Sequence, residues 1–186
     1  TEEILGIDIV EWQLRVAFGE DLPLQQKDLK PRGHAIEARI YAEDISAGFL
    51  PSSGLVEKLV FPENVRIDTG VSEGDRISTY YDPMIAKITV HASNRELAIN
   101  SLKQALSNTL ILVLKNNLEF LERLISIPDY INEDFHTNTI DEKINTYKEK
   151  LPILDDDTKN IIEYVEESNT KKRKKFHFWK LLEPNE

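Results

Sequence analysis

Apolar and polar positions alternate in two distinct periods along this chain. Between Asp8 and Gly19 the period is helical: Val10, Leu14 and Ala17 share a face, Asp8 suits an N-cap, and Gly19 suits a terminator, predicting a helix over Ile9–Phe18. A polar stretch with Pro23 and Pro31 follows and reads as a connector up to Gly33. From His34 to Ala42 the period becomes two. Ile36, Ala38 and Ile40 point one way, and Glu37, Arg39 and Tyr41 the other. Further strands are predicted over Gly54–Phe61, Val65–Thr69, Asp75–Tyr80 and Met84–His91, with Gly70, Glu73-Gly74 and Asp82-Pro83 at turns. Such close spacing favours antiparallel pairing, because parallel strands need a long crossover.

The period then returns to helical. Ser93 and Glu96 fit a capping box ahead of Leu97, Ala98, Leu102, Ala105 and Leu106. Leu110–Leu114 is a short apolar run suited to a buried strand, and Asn116-Asn117 breaks it. A second helix is predicted over Leu118–Ile127, with Leu118, Leu121, Leu124 and Ile125 facing inward. Strands followed by helices predict an α+β domain, an antiparallel sheet with flanking helices, ending near Ile140. Beyond it lie one amphipathic segment, Asp156–Glu167, and the basic run Lys171–Lys175.

Composition narrows the function classes. With 186 residues and 40% apolar content the chain has material for a core. No apolar run approaches the roughly 20 residues that cross a bilayer, so no membrane span is expected. With no cysteine, the chain has no disulfide, thiolate metal site or cysteine nucleophile. The excess of 33 acidic over 23 basic residues, a net charge of −10, argues against nucleic acid as a partner. The basic run reads as a solvated linker, with an anionic surface as the alternative. His34, His91, His136 and His177 lie too far apart for a zinc set, and Asp155-Asp156-Asp157 lacks the remainder of a calcium loop, so no metal site is expected. There is no phosphate loop and no nucleophile elbow.

Glu37 and Arg39 invite two readings. Opposite charges on one strand face form a structural ion pair. Alternatively, Arg39 presents its planar, permanently charged fork of donors to an oxyanion.

The stretch from Arg32 to Asp44, RGHAIEARIYAED, resembles a block of the biotin carboxylases. Gly48-Phe49-Leu50-Pro51-Ser52-Ser53-Gly54, Val65-Arg66-Ile67-Asp68-Thr69-Gly70 and Tyr81-Asp82-Pro83-Met84-Ile85-Ala86-Lys87 follow in the same order, and Trp12-Gln13-Leu14-Arg15 is similar to the helix closing that family's ATP-grasp region. Within the family the wording is most like acyl-CoA carboxylase α subunits of the methylcrotonoyl-CoA type. The resemblance implies a division into residues 1–30 (closing ATP-grasp helix and connector), 31–140 (biotin carboxylase C-terminal domain) and 141–186 (charged linker). It implies ATP-dependent carboxylation of biotin with bicarbonate, by way of carboxyphosphate. By the same resemblance Arg39 matches the catalytic residue facing the ureido oxygen, Glu37 would join it at the substrate site, and Arg66 falls in the segment that resembles a dimer contact.

The cofactors so implied are biotin on a separate carrier domain, and ATP with Mg2+ at sites largely upstream. The partners are that carrier domain, a carboxyltransferase subunit and a second copy of the chain. The compartment implied by the resemblance is the mitochondrial matrix in a eukaryote and the cytoplasm otherwise. Thr1 is not a start methionine, and the family's ATP-binding segments would precede it, so the expectation is a piece of a longer α subunit that is inactive alone. The alternative is a non-catalytic dimerisation or assembly module. Departures from the family pattern are Glu3 for an apolar residue, Ile45 for proline, a missing glycine and Thr-Asn pair within Leu112–Asn117, and Thr139 for a bulky apolar residue near the adenine pocket.

Overall fold

The computed structural model describes residues 1–112 and 114–142. The expected helix over Asp156–Glu167 and the basic run Lys171–Lys175 lie outside the described residues. The fold is α+β and every strand pairing is antiparallel. The helix α1 (Glu2–Leu5) ends at Gly6, and α2 (Ile9–Ala17) starts where Asp8 accepts the Glu11 N–H at 2.8 Å. A single 3-10 turn at Gln26–Asp28 interrupts the connector.

Strand β1 (His34–Tyr41) then begins the main sheet. The short strands β2 (Glu43–Asp44) and β3 (Leu50–Pro51) pair with each other, β4 (Gly54–Leu55) pairs with β7 (Arg76–Ile77), and β5 (Lys58–Val60) pairs with β9 (Leu110–Leu112). The remaining strands, β6 (Arg66–Thr69) and β8 (Met84–Ala92), complete a three-stranded sheet in the order β1-β8-β6. Helix α3 (Arg95–Ser107) covers its apolar face, and α4 (Leu118–Leu124) and α5 (Pro128–Ile131) follow.

Period-two alternation in β1 and β8 builds the core. Ala38, Ile40, Ala86, Ile88 and Val90 face inward and meet Leu102, Ala105 and Leu106 of α3. Ile40, Ile88 and Val56 are fully enclosed, so the hydrophobic effect acts on them at full strength.

Several predicted elements differ in detail. The expected strand Gly54–Phe61 is divided, because its halves pair with different partners, β7 and β9. Asp75–Tyr80 contracts to Arg76–Ile77, leaving Tyr80 and Tyr81 exposed. Helix α3 is capped by Asn94, whose Oδ1 accepts the Leu97 N–H at 2.9 Å, and not by Ser93. The inward stripe contains Ile99, while Leu97 is exposed. The helix expected over Leu118–Ile127 ends at Leu124, and Pro128 opens a separate turn. Its buried positions are Phe120 and Ile125, with Leu118 and Leu121 packed at the core margin. Ile45 is itself buried.

Candidate functional site

Pleating sends Glu37 and Arg39 to the face of β1 opposite the core. Cross-strand register then sets two polar rows. Glu37 lies opposite Thr89, which lies opposite Arg66; Arg39 lies opposite Lys87, which lies opposite Asp68. The three residues singled out from sequence, Glu37, Arg39 and Arg66, therefore share one sheet face. The sequence reading gave no role to Lys87, Thr89 or Asp68, since register between strands some 50 residues apart is not visible in local periodicity.

Within this face the Arg39 Nε donates to Glu37 Oε1 at 3.1 Å. The Glu37 carboxylate, followed by the Tyr41 phenol, raises the Arg39 pKa further above its ordinary range, so the guanidinium stays charged. Its side chain is 62% exposed, so the fork is accessible to an incoming oxyanion. Both readings of the pair are compatible with this geometry: the ion pair exists, and the exposed guanidinium carries donors beyond the Nε that Glu37 engages.

Arg66 sits differently. Its Nη1 meets Glu2 Oε2 at 2.5 Å and Glu3 Oε1 at 3.5 Å, and its Nε meets Asp68 Oδ2 at 3.1 Å. This ties α1 to β6 through Glu2 and Glu3. The Arg66 hydrogen bond, then the Ile9 N–H, lowers the pKa of Glu2. A cavity of about 190 Å³ lies between these groups, lined by Glu2, Glu37, Arg66, Asp68, Lys87 and Thr89 among others.

A second cavity, about 440 Å³, runs from His34–Glu37 of β1 to Arg95, Tyr130 and Phe135. Arg95 lies 4.7 Å from the Tyr130 ring centroid, pairs with Glu133 at 2.9 Å and donates to the Tyr130 carbonyl at 2.6 Å. Thr139 is buried, and its Oγ1 accepts the His136 N–H at 2.8 Å, so its hydroxyl is already used within the chain. Among the described residues no cluster of three acidic or histidine side chains is placed to hold a metal ion.

Asn117 is 6% exposed and meets the β1 backbone at the candidate site. Its Oδ1 accepts the Tyr41 N–H at 2.9 Å, its Nδ2 donates to the Arg39 carbonyl at 3.1 Å, and its own N–H donates to the Tyr41 carbonyl at 3.2 Å.

Comparison with known proteins places this geometry in context. The family model described as "Biotin carboxylase C-terminal domain" matches residues 37–142. The chain is 44% identical over 155 residues to the methylcrotonoyl-CoA carboxylase subunit alpha, mitochondrial, of Mus musculus, covering 82% of this chain and 21% of that protein. It is 45% identical over 130 residues to a biotin carboxylase of Halalkalibacterium halodurans, covering 69% of this chain and 28% of that one. Its fold matches the biotin carboxylase domain dimer of Hydrogenobacter thermophilus 2-oxoglutarate carboxylase, solved with MgADP and bicarbonate. That match has a TM-score of 0.76 at 36% identity, over 78% of this chain and 33% of the other. The chain thus spans about a fifth of the length of the mouse relative.

Proposed function

This chain belongs to the biotin carboxylase C-terminal domain family, and from that premise we propose that it supplies the Arg39 face of an ATP-dependent biotin carboxylase within an acyl-CoA carboxylase of the methylcrotonoyl-CoA type. The observation carrying this reading is the charged, accessible Arg39 fork held by Glu37 on the polar face of β1. Biotin, when bound, supplies the ureido nitrogen that accepts the carboxyl group. The Arg39 guanidinium would hold the ureido oxygen and would stabilise negative charge there, as an oxyanion hole does. Glu37 anchors the Nε edge of the fork, which leaves other donors for the oxygen. The described residues suit the ureido group, and the ATP and Mg2+ of the reaction are assigned to the family's ATP-grasp region by family likeness.

On the same basis the partners are a biotinyl carrier domain, a carboxyltransferase subunit and a second copy, with Arg66 at the dimer contact. The division at residues 30 and 140 is likewise proposed. The apolar side of α2, with Val10, Leu14 and Phe18 exposed, supports assigning residues 1–30 to a neighbouring ATP-grasp body. The names of the eukaryotic relatives support a mitochondrial matrix location for a eukaryotic source.

The test is made on the full-length gene product. It is expected to cleave ATP in a biotin- and bicarbonate-dependent manner, and Arg39→Ala is expected to reduce this at least about 100-fold with the fold intact. Normal turnover in that variant overturns the catalytic assignment. The alternative, a non-catalytic assembly module, draws on Arg66: it requires self-association of an inactive product that Arg66→Glu weakens, and a monomeric product argues against it.

A further inference from the structure

Two adjacent asparagines follow β9, and they have different tasks. Asn116 Oδ1 accepts the Leu118 N–H at 3.1 Å, and its Nδ2 donates to the Leu114 carbonyl at 2.9 Å, so Asn116 closes the turn into α4. Asn117 occupies the N-cap position of α4, where an asparagine side chain ordinarily caps the helix, yet its side chain makes no capping bond. It turns instead to the edge of β1 beside which no strand lies among the described residues.

The contact falls at an irregular point of the sheet. The β1-β8 register shifts between Ile40 and Tyr41, so the ladder does not define the backbone there as it does from His34 to Ile40. Such a shift re-aims nearby side chains. Asn117 bonds on both sides of it, through the Arg39 carbonyl and through both the N–H and the carbonyl of Tyr41. Arg39 and Tyr41 are also the residues whose side chains meet each other on the polar face.

We infer that Asn117 is a positioning residue for Arg39: its amide clamps the backbone across the β1 irregularity and so sets where the guanidinium points. The inference rests on the reading of Arg39 as catalytic. The physical reason is leverage. Arg39 is a long, exposed side chain whose contacts, with Glu37 and Tyr41, are on its own strand, so its direction depends on the backbone that carries it. A displacement of about 1 Å in such a group costs on the order of 100-fold in rate.

Asn117→Asp tests this with little change in size. One oxygen still accepts the Tyr41 N–H, while the other now faces the Arg39 carbonyl in place of a donor. In the full-length gene product, kcat for carboxylation of free biotin is expected to fall about 10–100-fold, with KM for ATP unchanged. Combined with Arg39→Ala, Asn117→Asp is expected to remove less than about a further 2-fold, because its effect passes through Arg39. A merely structural asparagine predicts the same fold-loss in both backgrounds, and that result overturns the inference while leaving the role of Arg39 standing. An Arg39→Ala variant with normal turnover, or a wild-type product without biotin-dependent turnover, overturns the reading beneath it and the inference with it. Should Asn117→Asp not fold, Asn117→Ser, which retains a neutral acceptor for the Tyr41 N–H, is put through the same cycle. Asn116→Ala serves as the control: it loosens the α4 turn and is expected to leave kcat within about 2-fold.

Discussion

Gly33 stands at the entry to β1 with φ at +68°, and a Cβ built there would lie 2.2 Å from the Ala92 carbonyl oxygen and 2.7 Å from His91 Nε2. Both the left-handed backbone and the close approach of β8 require glycine. Gly33→Ala is therefore expected to lower stability by about 1–3 kcal/mol, read from the urea midpoint, and an unchanged midpoint contradicts it. Asp44 offers a pH prediction. Lys115 Nζ at 2.5 Å and then the Ser46 hydroxyl lower its pKa from the ordinary 3.8 to about 2. Because the folded value is depressed, the contribution is complete above the unfolded value near 4 and is lost as pH falls through about 2. Lys115→Met is expected to move the Asp44 carboxyl titration, followed by NMR, back towards its ordinary value. Glu37 and Arg39 were legible as a pair from alternation alone. Asn117 was legible only as a break, because its hydrogen-bond partners lie 76 and 78 residues away.

At the scale of elements, amphipathic period is a strong guide to type and a weaker one to phase. Helix α3 forms where its pattern places it, but the inward face is rotated so that Ile99 is buried and Leu97 is 50% exposed. Leu97 and Leu102 of the predicted stripe should therefore differ sharply. Leu102→Ala, at 1% exposure, is expected to cost about 2–5 kcal/mol, and Leu97→Ala less than about 0.5 kcal/mol. Equal shifts in the denaturation midpoint would show that the phase is misassigned. The Gly54–Phe61 segment shows a different limit. Its alternation is compatible with one strand, but β7 and β9 each claim a different part of it, with fully buried Val56 between. Local pattern identifies a segment ready to pair; the available partners decide how much of it pairs, and with what.

At the scale of the molecule, the three-stranded sheet divides its labour between faces. One face joins α3 in the core, and the other presents Glu37, Arg39, Lys87, Thr89, Arg66 and Asp68. Arg66 also fastens the α1 segment to this face through Glu2 and Glu3. Outside that sheet, α2 buries none of its residues, and Leu14 is 57% exposed. Leu14→Asn is accordingly expected to leave the stability of residues 1–142 unchanged to within about 0.5 kcal/mol, while impairing turnover of the full-length product if α2 packs against an ATP-grasp body. A large fall in the midpoint of residues 1–142 would instead show that Leu14 supports the fold described here.

By itself the sequence determined the α+β class, the antiparallel pairing, the alternation that exposes Glu37 and Arg39, and the family through the ordered blocks from Arg32 to Lys87. The class, the pairing and the alternation follow from short-range physics, since side-chain period and turn chemistry act over a few residues, whereas the family is read by likeness of those blocks. Tertiary structure alone decided the cross-strand rows that bring Lys87 and Asp68 to Arg39, the split of the Gly54–Phe61 segment and the turning of Asn117 towards β1. Each of these depends on backbone and side-chain groups that meet only after distant parts of the chain have packed, when buried polar atoms must find partners among whatever the fold has brought within reach.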